Sequence, residues 1–178
     1  TVLRALLEVR DRQQTAGELI LAALVPFLLA RCVGRPDRVD EFVAELAIVI
    51  GKTASYVDEL ESLDYVAGYS TFCDFSERSF QKDMGGQWTK GKSADTFAPM
   101  GPWLLTADEI EDPQKLRLWS KVNGELRQNS WTGDMLFSVR QLVSYVSRFM
   151  TLLPGDVVAT GTPSGVAMGM TPPRYLQA

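Results

Sequence analysis

No histidine occurs anywhere in the 178 residues. Chemistry carried by this chain therefore has no imidazole to accept a proton near neutral pH, and a base must be another kind of side chain. Cysteine is almost as scarce. Cys32 and Cys73 offer neither a Cys-x-x-Cys pair nor a disulfide framework, so a reducing cytoplasm is the expected compartment. No basic cluster stands out among 18 basic and 22 acidic residues, and a net charge of −4 argues against nucleic acid as a partner. Long apolar runs are missing too. The best candidate, Leu19–Ala30, is twelve residues interrupted by Pro26, whereas a membrane span needs about 20. The flank Arg10-Asp11-Arg12-Gln13-Gln14 is unlike the start of a signal peptide. The run is read as buried core, with no membrane partner.

What is present suits one globular domain over 1–178, since 46% of the residues are apolar and the length is that of a single domain. Residues 1–18 fit a short amphipathic helix or a strand equally well, and residues 31–40, with Gly34 and Pro36, read as a loop. Val43–Ile50 is rich in β-branched residues and stops at Gly51, which predicts a strand. Glu45 is the charge inside it. A carboxylate there needs a cationic or hydrogen-bonding partner, unless the strand is an edge that shows this face to water. Ser55–Tyr65 predicts a helix with Tyr56, Leu60 and Leu63 on one face and Asp58, Glu59, Glu61 and Asp64 on a solvated one.

Thr106 is a cap for a short turn at Ala107–Ile110. Farther on, Leu116–Val122 and Glu125–Trp131 flank Asn123-Gly124, a strong hairpin signal that by itself offers no chemistry. Phe137–Met150 has helical spacing at Val139, Leu142, Val143, Val146 and Phe149. Asp156–Thr160 reads as a strand running into Gly161-Thr162-Pro163-Ser164-Gly165. That loop has two readings: a cradle of backbone N–H groups and hydroxyls for an anionic oxygen, or ordinary turn chemistry.

Residues 69–97 hold the densest set of polar groups. Tyr69 and Phe72 lie in a strand pattern that brings Asp74 to a strand end, and Ser76-Glu77-Arg78 reads as a helix start. Arg78 and Gln81, three apart, project from one face of that turn. Gly85-Gly86 reverses the chain, and Lys92 follows in Lys-Gly-Lys-Ser, where Gly91 lets the backbone come close to whatever is bound. A carboxylate, a guanidinium and an amide thus converge on a space suited to a small carboxylate-bearing ligand held through a metal. The competing reading of Lys92 is a solvated surface lysine.

Five segments, Asp74–Gln81, Lys90–Phe97, Gly101–Leu104, Val122–Glu125 and Pro154–Val166, resemble the fumarylacetoacetate hydrolase family in order and spacing. The resemblance runs from about Glu45 to Ala178 and is poor before it; 1–40 is the poorly matched N-terminal segment and 41–178 the family-like core, which stops before the family's last strands. The stretch Tyr145–Asp156 looks most like a bacterial branch that hydrolyses diketo-deoxy sugar acids. The resemblance implies an α+β fold with a mixed, rolled β-sheet and a few short helices, and commonly a homodimer. It also implies a hydrolase that cleaves a C–C bond in a 2-oxo or diketo acid with Mg2+ or Mn2+. By the same resemblance Glu45 and Asp74 would be metal ligands, Arg78 and Gln81 would hold substrate oxygens, Lys92 would stabilise developing charge, and Thr162 would bind the carboxylate end. Such an ion polarises a 2-oxo acid's carbonyl and stabilises the enolate that C–C cleavage leaves behind.

Two features depart from the family pattern. The family pairs two glutamates as Glu-x-Glu, and the position two before Glu45 is Val43. Glu41 lies on the same strand face but about 13 Å away along an extended strand, so it could substitute only across a bulge. The family's N-terminal lid histidine is also missing. Its place falls at Arg12, which stays protonated and cannot act as a base. The missing lid is expected if the 178 residues are part of a longer chain; the rivals are a different base, and an inert relative that kept the fold as a binding protein. An isomerase or decarboxylase acting on a similar acid is the alternative within enzymes.

Overall fold

The computed structural model describes residues 40–95 and 97–176. The expectations for 1–18, the Leu19–Ala30 run, Arg12, Cys32 and all of the 31–40 loop except Asp40 lie outside them.

The chain is built around β1 (Glu41–Ile50), which starts two residues earlier than the apolar pattern alone suggests. It lies in the interior of a four-stranded sheet of order β3-β2-β1-β6, between β2 (Val66–Ser76) and β6 (Val157–Ala159), with β3 (Leu105–Thr106) beyond β2. Side chains alternate between faces along a strand. The even-numbered residues of β1 enter the core: Leu46, Ile48 and Ile50 pack with Tyr69, Leu116, Val139 and Val143, while Phe42 joins Cys73 and Phe75 in a second cluster. The odd-numbered residues Glu41, Val43 and Glu45 share the other face, and they too are buried. Being covered on both faces explains why β1 reads as a nearly continuous apolar run. β1 is therefore not an edge, and the solvated reading of Glu45 is overturned.

The second sheet is the hairpin of β4 (Arg117–Val122) and β5 (Glu125–Trp131). Asn123 and Gly124 turn it with φ of 50° and 84°, the left-handed pair its tight turn requires. Helix α2 (Val139–Ser147) follows, capped by Ser138, whose Oγ accepts from the Gln141 N–H while the Gln141 side chain accepts from the Ser138 N–H. Its buried stripe is Val139, Val143, Ser144 and Ser147; Phe149, expected to continue it, is exposed past the helix end.

The fold class is the expected α+β, and every strand pairing among the described residues is antiparallel. The helix expected over Ser55–Tyr65 is not formed as such: only Ser62–Tyr65 coils, as a single 3-10 turn. Tertiary bonds take the backbone instead. Tyr56 N–H donates to the Ser147 carbonyl at 2.9 Å, Val57 N–H to Ser147 Oγ at 3.0 Å, and the Val57 carbonyl accepts from Ser144 Oγ at 2.8 Å. Tyr56 adopts φ 52° and both it and Leu60 are exposed, while the acidic residues around them face water as expected. Among the described residues no helix is long and apolar enough to cross a membrane.

Candidate functional site

The antiparallel ladder sets the geometry of the site. β1 and β2 pair without a register break from Glu41↔Ser76 to Val49↔Gly68, so Val43 stands opposite Asp74 and Glu45 opposite Phe72. Residues directly opposite share a face, so Glu41, Val43, Glu45, Phe72, Asp74 and Ser76 form one patch. The bulge that could have drawn Glu41 toward Glu45 is absent; the only irregularity lies beyond, between Val49 and Ile50.

Lys92 closes over this patch. Its Nζ pairs with Asp74 Oδ2 and donates to Ser76 Oγ at 2.8 Å, so the surface-lysine reading fails. Gly91 is what seats it, though not by approaching a ligand. A Cβ on Gly91 would come within 2.3 Å of both the Glu77 carbonyl and Gln81 Cγ. Only glycine lets this loop lie against helix α1 (Arg78–Lys82), where Glu77 N–H donates to the Gly91 carbonyl at 2.9 Å.

Helix α1 carries the guanidinium and the amide, and both point into protein. Arg78 is 8% exposed; its Nε and Nη2 hold Glu41 Oε2, and its Nη1 donates to Gln81 Oε1 at 2.7 Å. Gln81 Nε2 donates to the Trp88 carbonyl at 3.3 Å, and the Trp88 ring lies 5.9 Å from the guanidinium carbon. Glu41, read as a distant acid, is thus the partner of Arg78. Its other oxygen accepts from Met168 N–H at 2.8 Å.

Glu45, 6% exposed, accepts from Gly161 N–H at 2.9 Å. Burial pushes its carboxyl above the ordinary value, the Gly161 bond draws it down, Asp74 pushes it up and Lys92 draws it down. The loop that supplies Gly161 is held by Gln128, a residue that sequence reasoning missed. Its Oε1 accepts from Ala44 N–H at 2.9 Å and Ser120 Oγ at 3.0 Å; its Nε2 donates to Thr162 Oγ1 at 2.7 Å and to the Pro163 carbonyl at 2.9 Å. The signal was an amide at an inward position of the hairpin, opposite Ser120. Thr162 Oγ1 in turn donates to the Ala44 carbonyl at 2.7 Å. That bond braces the loop against β1.

The donor set bears on metal binding. Among the described residues no group of three or more His, Cys, Asp and Glu side chains is placed to hold a metal ion. Glu45 and Asp74 remain as two carboxylates on one face. A hard divalent ion can be held through one or two carboxylates, with water and substrate oxygens completing the shell, so the set fits such an ion as a pair. A cavity of about 480 Å³ is lined by Leu46, Leu118, Trp131, Leu142, Gly161 and Thr162. Leu46 faces away from Glu45, while Gly161 donates to the Glu45 carboxylate.

A family model described as fumarylacetoacetate (FAA) hydrolase C-terminal matches residues 29–178. The chain belongs to the fumarylacetoacetate hydrolase family. Fumarylacetoacetate hydrolase from Exiguobacterium antarcticum superposes with a TM-score of 0.75 at 45% identity, covering 79% of this chain and 50% of that one. Maleylpyruvate hydrolase from Sphingobium sp. SYK-6 gives 0.66 at 40%, covering 74% and 47%. A Burkholderia ambifaria relative with a provisional hydrolase name is 55% identical over 139 residues, 78% of this chain and 49% of that protein. The chain spans about half the length of the curated relatives it matches.

Proposed function

We propose that this chain forms part of an enzyme that processes a 2-oxo or diketo acid, an acylpyruvate or diketo-deoxy sugar acid, by hydrolytic cleavage of a C–C bond. The observation that carries this reading is the placement of Lys92, Asp74 and Glu45 on one sheet face, with the Lys92–Asp74 pair about one quarter exposed. A fixed ammonium there meets the negative charge that develops on a carbonyl oxygen as an adjacent bond breaks. Glu45 and Asp74 would hold Mg2+ or Mn2+, which when bound would polarise the carbonyl and stabilise an enolate.

Arg78 and Gln81 enter as the buried wall behind Lys92. Of the five guanidinium N–H donors, three are engaged with Glu41 and Gln81, and the other two are those that could meet a substrate carboxylate. Thr162 serves by holding Gly161 on Glu45. As a homodimer in solution, the assembly would show twice the chain mass by light scattering.

A second reading is isomerisation of a similar acid, in which the enolate is reprotonated at carbon and no water is activated. Similar solved structures include a protein titled 5-carboxymethyl-2-hydroxymuconate delta-isomerase from Mycobacterium smegmatis, with a TM-score of 0.67 at 42% identity over 72% of this chain and 49% of that one. Incubating the protein with Mn2+ and acylpyruvates in H2(18)O separates the readings. Hydrolysis gives pyruvate and a carboxylic acid carrying 18O in its carboxylate; isomerisation gives one product and releases no carboxylic acid fragment. Neither change, across acylpyruvates and diketo sugar acids, would sink both.

A further inference from the structure

Between Glu41 and Glu45 on the carboxylate face, β1 places a side chain that supplies no oxygen. Val43 is 2% exposed, stands directly opposite Asp74, and separates Glu41 from Glu45 along β1. A carboxylate at this position would be a third acid beside Glu45 and Asp74. Instead those two stand with Lys92, which is bonded to Asp74, and Glu41 is tied to Arg78. Two carboxylates and one ammonium leave a single negative charge on the patch.

This arrangement is poor for either ligand alone. A divalent cation meets two protein carboxylates, one already partnered. A dianionic oxyacid meets a negative patch. When both arrive, the cation turns the patch positive, and the acid's two oxygens supply donors that valine withholds. We propose that Val43 makes binding of a divalent cation and a chelating 2-oxo acid mutually dependent, each becoming tight only in the presence of the other. The inference rests on the function proposed above. Linkage requires the coupling to be reciprocal, and couplings of this kind are worth about 5- to 150-fold.

The test is calorimetric titration of chelator-treated protein with Mn2+, with and without oxalate, a stable planar dianion that presents two oxygens as a pyruvate enolate does. Values are corrected for the Mn2+–oxalate complex in solution. For the wild type, oxalate should tighten Mn2+ binding at least about tenfold, and Mn2+ should tighten oxalate by the same factor. Val43→Glu should bind Mn2+ alone at least about tenfold more tightly than wild type, with a smaller oxalate factor, because its cation-loaded patch is neutral. Val43→Thr, nearly isosteric and with one added oxygen, should shift both values in the same direction by less, which guards against misfolding of the glutamate variant. Wild-type binding that is tight and indifferent to oxalate would overturn the coupling and leave the cation site standing. No uptake of Mn2+ by any of the three proteins, with or without oxalate, would overturn the cation site of the proposed function itself.

Discussion

Arg78 and Glu41 form a buried ion pair that fastens helix α1 to the first residue of the central strand. Removing one partner leaves the other charged and without compensation in a place water does not reach. Arg78→Met and Glu41→Met should each cost about 3–5 kcal/mol, and the double variant much less than their sum. Urea unfolding of the three proteins decides it; additive losses would show that the two side chains do not act as a pair.

Gln128 should prove as important to stability as a core residue. Gln128→Leu strands the Ala44 N–H and the Pro163 carbonyl and removes the donor to Thr162 Oγ1, at a cost of about 2–4 kcal/mol. Amide exchange at Ala44 should accelerate more than at Val49 on the same strand. Unchanged protection at Ala44 would contradict the bracing role.

Lys92→Ala and Asp74→Asn should each lower turnover by at least about a hundredfold while costing about 1–3 kcal/mol of stability, because the pair is only about one quarter exposed. Turnover assays and thermal melts on the same preparations check this. Activity near wild type in either variant would remove that residue from the chemistry.

Glu45 should make the chelator-treated protein lose stability as pH rises. Its folded-state carboxyl is held above the ordinary 4.5, chiefly by burial, so the folded chain keeps this proton to higher pH than the unfolded chain. The contribution is fully present below 4.5 and is lost as pH rises through the raised value. Glu45→Gln, neutral throughout, should therefore melt higher than wild type at neutral pH, and the difference should vanish below pH 4.5. A melting difference that does not change with pH would show that Glu45 ionises as freely folded as unfolded.

Much of the fold was legible because local signals agreed with tertiary demands. The β-branched run of β1, the Asn123-Gly124 turn and the helical stripe of α2 from Val139 to Val146 all formed, with β1 longer by two residues than the pattern and Phe149 outside the stripe. Ser55–Tyr65 failed because its backbone groups bond to Ser144 and Ser147, about 90 residues away, an outcome that periodicity cannot contain. At the site, Asp74, Lys92 and Glu45 were found as residue types, while the partners of Arg78 and Thr162 were not.

The sequence by itself determined which chemical groups this chain brings: carboxylates at 45 and 74, an ammonium at 92, valine at 43 and no histidine. Residue identity and the two-residue repeat of a strand need no tertiary information. Only the folded structure decided which of those groups face one another. Register placed Val43 against Asp74, Gly91 seated Lys92 on the patch, and Glu41 and Ala44 took up the polar groups of Arg78 and Thr162. Those pairings are set by hydrogen bonding between segments far apart in the chain, where each buried polar group must find a partner and the nearest in space is rarely the nearest in sequence.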